Sequence, residues 1–351
     1  QRPLGGGPFR LVSYQPGKAV ELQRHDGHVP EPASLERIRL LVVRDAAVAT
    51  TALRAGDVDW VVRLTPEQAA GLAGDAKIRV AAHPEPVVRA IIFNVRPGRV
   101  YADAVTRRAF GLCIDRERAS AAAPGASPIP SSVETTLGSW ALGGAAPAME
   151  PDPAVAVTLL EEAGWQRGSD GIFARGAMRL SSEVGVRTGR PDLLGLLQAV
   201  SEQLHACGIE LGVRELDAST DALLERLQWP NDFETLLLAR PLASDPAADF
   251  AAFEGSRVTS RDNPTDANPG GHSSPALDAL LAAALTDPDP DVRAGHYTDA
   301  LLVMAQDPPS LPLVYDVAHA AISHRVQDAA GMGIDPSAQR YAWDVWSWRA
   351  P

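Results

Sequence analysis

Two carboxylates one residue apart, Asp57 and Asp59 in "RAGDVDWV", have the Asp-x-Asp spacing with which several enzyme classes hold Mg²⁺ or Mn²⁺. In a strand, residues two apart share a face, so joint ligation is geometrically allowed. No other carboxylate or histidine cluster sits at a neighbouring strand end, however, and Val58 and Trp60 point the opposite way. A helix that stops at Gly56 and a buried strand that follows explain the spacing without metal. "GGHSSPALD" invites a serine-nucleophile reading through Ser273, but a nucleophile elbow needs Gly-x-Ser-x-Gly between strand and helix, and Pro275 replaces the last glycine. Ser274 before Pro275 reads instead as a helix N-cap. His25, Asp26 and His28 share one turn with no further ligand nearby, His319 and His324 fall on opposite faces of a strand, and "GGGPF" is followed by a hairpin rather than a phosphate-binding helix. Cys113 and Cys207 sit in separate helical patterns with no Cys-x-x-Cys pair, and are read as buried free thiols. The expectation is a protein with no catalytic residue, no metal and no cofactor: not an enzyme.

The elements around these residues point to an α/β fold. "FRLVSYQPGKAVELQ" alternates apolar and polar residues about a Pro-Gly turn, a hairpin pattern, and "RIRLLVV" (37–43) continues it as a third strand. Residues 45–55 put Val48, Ala52 and Leu53 on one helical face, with Gly56 where a C-cap glycine belongs. Thr65 and Pro66 open a second helix, and "KIRVAA" and "VVRAIIFNV" read as two strands. After a helical stretch from 103, residues 124–151 are rich in Pro, Gly and Ser without periodicity and read as a long surface connection. A helix over 152–165 and then strand, helix, strand, helix, strand through "DFETLLLAR" form a second α/β unit. Two consecutive helices and a returning strand, "LPLVYDVAHAAI", lead to a tail with three tryptophans in six residues.

Composition narrows the partners. The chain has 351 residues, enough for two or three domains with cores of their own, and 32 basic against 44 acidic residues give a net charge of −12. That balance opposes the counterion release behind nucleic-acid binding, so nucleic acid is not expected as a partner. No stretch approaches 18 uninterrupted apolar residues, and "QRPLGGGPFR" has neither the charged nor the apolar region of a signal peptide.

Taken in order, "GGGPFRLVSYQPGKAVELQR", "LERIRLLVVRDAAVATTALRAGDVDWVVRLTPEQAAGL", "RAIIFNVRPG", "DPAVAVTLLEEAGWQRGSDGIF", "SEQLHACGIELGVREL", "DFETLLLARPLASDPAADF", "GGHSSPALDALL" and "LVMAQDPPSLPLVYDVA" resemble the family 5 solute-binding proteins of oligopeptide, dipeptide and nickel ABC importers. The resemblance covers nearly the whole chain. It implies a periplasmic-binding-protein-like type II fold with mixed sheets and two lobes joined by a hinge, residues 1–98 plus 310–351 forming the first lobe and 99–309 the second. It also implies a monomeric extracytoplasmic subunit that captures a small molecule or short peptide by hinge closure and hands it to a membrane permease. Family members normally carry a long segment before the first hairpin, so the chain is expected to be the C-terminal part of a longer, lipid-anchored protein.

Two motifs depart from the family pattern. After the "DFETLLL" strand the family typically has an aromatic W-x-x-D-Y-P-D-P; here Arg240 stands near the tryptophan position and Asp245 matches the later aspartate. The family's G-Y-S-N-P is "GHSSP", with His272 for tyrosine. The expected ligand-binding residues are therefore Asn94, Trp140, Arg240, Asp245 and His272, with Arg240 favouring an anionic group through its forked donors. The altered cleft motifs support an alternative: a non-transport envelope lipoprotein, or a sensing domain, that reuses the fold.

Overall fold

A computed structural model describes residues 5–29, 31–129, 131, 140, 147–217, 222–243, 245–328, 334–335, 340–341, 345 and 347–350. The chain forms two compact units, Gln1–Glu85 with Val317–Pro351, and Pro86–Asp316. The sequence reading drew lobe boundaries near 98 and 310, at the ends of two long strands; the division into units falls inside those same strands.

Unit 1 begins with β1 (Phe9–Gln15), β2 (Ala19–Arg24) and β3 (Arg37–Leu41), an antiparallel sheet turned by Gly17 at φ +69°. Leu11 pairs with Leu22 and Leu22 with Ile38, and Tyr14 with Val20 and Val20 with Leu40, so one face is apolar. Next come α1 (Ala46–Ala55), β4 (Trp60–Leu64) and α2 (Pro66–Leu72). The Asp45 carboxylate caps α1 by accepting from the Ala47 and Val48 N–H groups, and Gly56 closes it at φ +80°, which a Cβ would strain. Thr65 and Gln68 form a capping box on α2. These helices start and stop where the sequence places them, because caps are local chemistry.

β5 (Ile78–Phe93) runs from unit 1 into unit 2 as one strand where the sequence suggested two. Pro84 and Pro86 remove two donors but permit extended backbone, and ladder bonds on either side carry the strand through.

Unit 2 continues with α3 (Ala104–Leu112), α4 (Arg116–Ser120), β6 (Ala126–Pro128), α5 (Pro153–Glu162), the small sheet β7 (Gln166–Arg167), β8 (Phe173–Arg175) and β9 (Met178–Arg179), then β10 (Ser181–Arg187), α6 (Pro191–Cys207) and β11 (Glu210–Leu216). It ends with α7 (Ala222–Leu227), β12 (Thr235–Pro241), α8 (Ala247–Phe250), α9 (Pro275–Thr286), α10 (Pro290–Gln306) and the first half of β13 (Ser310–Ser323). Ser274 caps α9 by accepting from Leu277 N–H. β10 is parallel to β11 and β12, β12 is antiparallel to β5, and β6 pairs with β13. The second half of β13 returns to unit 1 and pairs with β4, and β14 (Ile334–Asp335) and β15 (Arg340–Tyr341) follow.

Two expectations need correction. The stretch 124–151 is not only a surface connection: β6 adds to the sheet, Ile129 is buried beside Tyr315, and Ser131 bridges Ala148, though residues 130, 132–139 and 141–146 lie outside the described residues. Cys113 and Cys207 are not free thiols but a disulfide with Cα atoms 6.2 Å apart, inside the range such a bond spans. Cys113 follows the last turn of α3 and Cys207 ends α6, so the bond staples two helices that cover the same sheet face. That face carries the main core, in which Ile91, Phe93, Phe110, Leu160, Trp165, Leu197, Val200 and Leu313 are fully buried. The Trp165 indole N–H finds the Thr106 hydroxyl at 3.0 Å, as a buried donor must.

Candidate functional site

The alternation of β12 decides what faces the other side of the unit 2 sheet. Leu237 joins the main core, while Leu238 and Arg240 point away from it, opposite Ala90 and Val88 of β5. Ile92 shares that face. Over it lies the segment around Ala252 and Phe253, the turn Thr265–Gly270, and Leu227 with Gln228, and between sheet and cover is a cavity of about 330 Å³ that Pro309 also lines.

The cover is fixed by buried polar side chains. Arg96, just beyond β5, donates from Nη1 to the Pro269 carbonyl at 2.6 Å and from Nη2 to the Thr259 hydroxyl and carbonyl at 2.9 and 3.2 Å. Burial, and secondarily the neighbouring Arg99, pull the Arg96 guanidinium below its ordinary range. Asn268 donates to the Glu254 and His272 carbonyls at 3.0 and 2.8 Å and accepts from Gly271 N–H at 3.0 Å. Gly270 sits so close to β5 that a Cβ would lie 2.7 Å from the Phe93 carbonyl, which is why this turn demands glycine.

The five expected residues fall into three places. Arg240 lines the cavity: its guanidinium lies 4.5 Å from the Phe253 ring centroid, and Nη2 donates to the Asp249 carbonyl at 2.9 Å. The Asp249 carboxylate accepts from Ala243 N–H at 2.9 and 3.1 Å.

Trp140 and Asp245 meet at Arg293 of α10. The Arg293 guanidinium carbon is 5.0 Å from the Trp140 ring centroid, and its Nη2 donates to Asp245 Oδ2 at 3.0 Å. Tyr297 meets Trp140 edge-on at 6.5 Å and stacks on Phe250. Burial pushes the Asp245 carboxyl up, but the Ala247 N–H and Arg293 outweigh it and hold it below the usual carboxylate range. Trp140 keeps 45% of its surface exposed.

Asn94 and His272 are buried among main-chain and charged partners. Asn94 donates to the Asn231 and Phe233 carbonyls, both at 3.0 Å, and accepts from Arg96 Nη1 at 3.1 Å. His272 Nε2 lies 3.2 Å from Asp307 Oδ2, and Asp307 also takes Arg107, a guanidinium only 2% exposed. The bond to His272, with the Arg107 charge and against the cost of burial, holds Asp307 below the ordinary carboxylate range.

Phe253, Gln228, Asn268, Arg96 and Arg293 belong to these places and carry no motif of their own. The local signals were Arg240 and His272, each standing where an aromatic residue was expected. Among the described residues no group of three or more His, Cys, Asp or Glu is placed to hold a metal, and no helix is long and apolar enough to cross a membrane. Asp59, the opening candidate, instead accepts from Arg325 Nη2 at 2.6 Å.

Residues 1–252 match the family described as bacterial extracellular solute-binding proteins, family 5 Middle. Among curated relatives, Protein XP55 of Streptomyces lividans is 27% identical over 87% of the chain, and the oligopeptide-binding protein AppA of Bacillus subtilis (strain 168) is 25% identical over 99%. The chain spans 54% and 62% of the length of those two proteins. Among solved structures, NikZ from Campylobacter jejuni in complex with Ni(L-His) superposes with a TM-score of 0.71 at 20% identity, covering 99% of this chain and 69% of its own.

Proposed function

The chain belongs to the bacterial extracellular solute-binding proteins of family 5, with their periplasmic-binding-protein-like type II fold, and from that membership we propose that it captures a small solute or short peptide for an ABC importer. The observation that carries the proposal is the cavity of about 330 Å³ on the sheet face of unit 2, a built concave space with Arg240 in its wall. Cavities of this kind, mostly apolar with a few fixed polar groups, are where proteins hold ligands. One of the curated relatives, AppA, is an oligopeptide-binding protein by name, which supports the reading of a peptide or similar small solute as cargo.

Within this reading Arg240 touches ligand. Trp140 and Asp245, clustered at Arg293, form a second contact surface. Asn94 and His272 act as positioning residues, the first through Arg96 and the second through Asp307. The protein works outside the cytoplasm, bound to the membrane by a lipid anchor, delivers to a permease and acts as a monomer. The buried Cys113–Cys207 bond supports an oxidising compartment.

Mass spectrometry of material released from the purified protein tests the proposal. A defined solute at near one-to-one ratio, rebinding in calorimetry and lost on Arg240→Ala, is the expected result. Failure to capture any member of a tripeptide and metabolite library would overturn it.

A further inference from the structure

The cavity also narrows what the ligand must look like, an inference that rests on the cavity being the ligand site. Its walls at Ile92, Leu238, Phe253 and Pro309 are hydrocarbon, and about 330 Å³ is near the lower end for ligand pockets, enough for one compact group. The polar side chains of the lining fall into two sets, those the protein already engages and those it leaves to solvent.

Arg240, Asp266 and Asn268 are engaged. Asp266 accepts from Arg257 Nε at 2.5 Å, Asn263 Nδ2 at 2.5 Å and the Ala267 N–H at 2.7 Å. Asn268 donates to the Glu254 and His272 carbonyls and accepts from the Gly271 N–H. Arg240 stacks on Phe253, donates to the Asp249 carbonyl and has further interactions within the protein. Arg240 and Asp266 are the charged side chains of the lining, one of each sign and both engaged, so the cavity offers a ligand no free counter-charge. A charged group that entered would give up water for hydrocarbon and for partners already taken, which disfavours it.

Gln228 and Thr265 form the other set. Both are exposed lining residues, so they stand where the cavity opens to solvent, and neither side chain has a hydrogen-bond partner among the described residues. A glutamine amide and a threonine hydroxyl each donate and accept, and neither carries charge. Together they suit a group that also does both while staying neutral, as an amide does.

We infer that the cavity takes a compact apolar group carried on an uncharged amide stem, the apolar group against Ile92, Leu238 and Phe253 and the amide at the mouth on Gln228 and Thr265. A residue inside a peptide has this chemistry, and so does an apolar amino acid blocked at both ends. The charged ends of a peptide stay outside the cavity, and selection works by leaving them without a partner.

Calorimetry on the purified protein with N-acetyl-leucinamide, with the anion N-acetyl-leucine and with leucinamide kept protonated tests this directly. The neutral probe is expected to bind at least about tenfold more tightly than either charged one. Gln228→Glu should shift the preference toward leucinamide and Gln228→Lys toward N-acetyl-leucine; the position is exposed, so both variants are expected to fold. If one does not, the other and the wild-type ratios decide.

Equal binding of the three probes, tighter binding of a charged one, or a preference that neither Gln228 substitution moves would overturn the inference. So would binding of none of them. In that last case a mixed tripeptide library separates the two readings: capture of a member leaves the protein a solute-binding protein whose cavity holds something else, and capture of none sinks the solute-binding reading as well.

Discussion

The two units bury their polar groups differently. In unit 2, Trp165, Tyr101, Asn94, Arg96, Asn231 and Thr259 all find partners, and the main core is continuous across β5, β10, α3, α5 and α6. In unit 1 the core is split between two small clusters, one around Ile322 and Trp348 and one around Leu72. Three of its buried nitrogens, Trp60 Nε1, His83 Nε2 and His319 Nε2, have no hydrogen-bond partner. Its first sheet leaves Leu11, Tyr14 and Leu40 exposed on the apolar face. An unpaired buried donor costs about 1–3 kcal/mol, so unit 1 is expected to be the weaker body. A cavity needs walls that do not collapse, and the unit that contains one is the unit that is cross-linked and has the continuous core.

The largest test of this contrast is the disulfide. The bond closes a separation of 94 residues wholly inside unit 2, and the chain-entropy treatment of a loop that long gives about 4.7 kcal/mol. Cys113→Ala with Cys207→Ala should lower the transition of unit 2 by roughly that amount in urea, followed by the buried Trp165, and leave that of unit 1, followed by the edge-on Trp60–Trp348 pair, where it was. An equal fall in both signals would show that the units unfold as one.

Next is the polar anchor under the cavity cover. Asp307→Ala leaves the buried Arg107 guanidinium with only its main-chain acceptors and removes the partner of His272; because Asp307 is half-buried, the loss is that of charge-assisted hydrogen bonds, about 2 kcal/mol, read in the same unfolding experiment. Asp307→Asn, which keeps one acceptor oxygen for Arg107 and turns a neutral amide toward His272, should recover part of the loss. No recovery would make the charge, rather than the hydrogen bonds, the essential contribution.

Acid should then separate the units. Burial lowers the folded-state values of His83 and His319, so the unfolded chain takes up protons first. The stability that their neutral forms contribute is complete above the unfolded value of about 6.5 and is lost as pH falls from there through the lower folded values. In unit 2 the shifted carboxyls Asp245 and Asp307 are depressed, so their contribution holds down to about pH 4 and is lost below. Unit 1 is therefore expected to weaken between pH 7 and 5 while unit 2 does not. His83→Leu with His319→Leu should flatten the unit 1 profile; a profile unchanged by the double substitution would mean other groups set it.

Much of the frame was legible because it is written locally. Asp45, Thr65, Ser274 and Gly56 mark helix ends through bonds to their own neighbours, and the order of the motifs carried the family. The pairing of Cys113 with Cys207 was not legible, since two cysteines in separate helices meet only when both helices pack on one sheet face. Nor was the continuity of β5, because Pro84 and Pro86 punctuate a sequence whose ladder partners lie elsewhere in the chain. Around the cavity, Arg240 stood out as a departure from an expected aromatic. Phe253, Asn268 and Arg96 did not, because what they do depends on a turn that returns to β5 more than 150 residues later.

The smallest effect belongs to the feature with the most suggestive spacing. Asp59 and its partner Arg325 are both more than half exposed, and an ion pair in that setting contributes about 0–1 kcal/mol. Asp59→Asn keeps an acceptor for Arg325 and leaves the main-chain bond from Ser323 to the Asp59 carbonyl intact, so the transition of unit 1 should drop by no more than about 0.5 kcal/mol. Adding Mg²⁺ or Mn²⁺ should shift neither wild type nor variant. A divalent-ion stabilisation of the wild type that Asp59→Asn removes would mean that Arg325 gives way to metal, and the contrast between a unit 1 without a cavity of this kind among its described residues and a unit 2 with one would have to be redrawn.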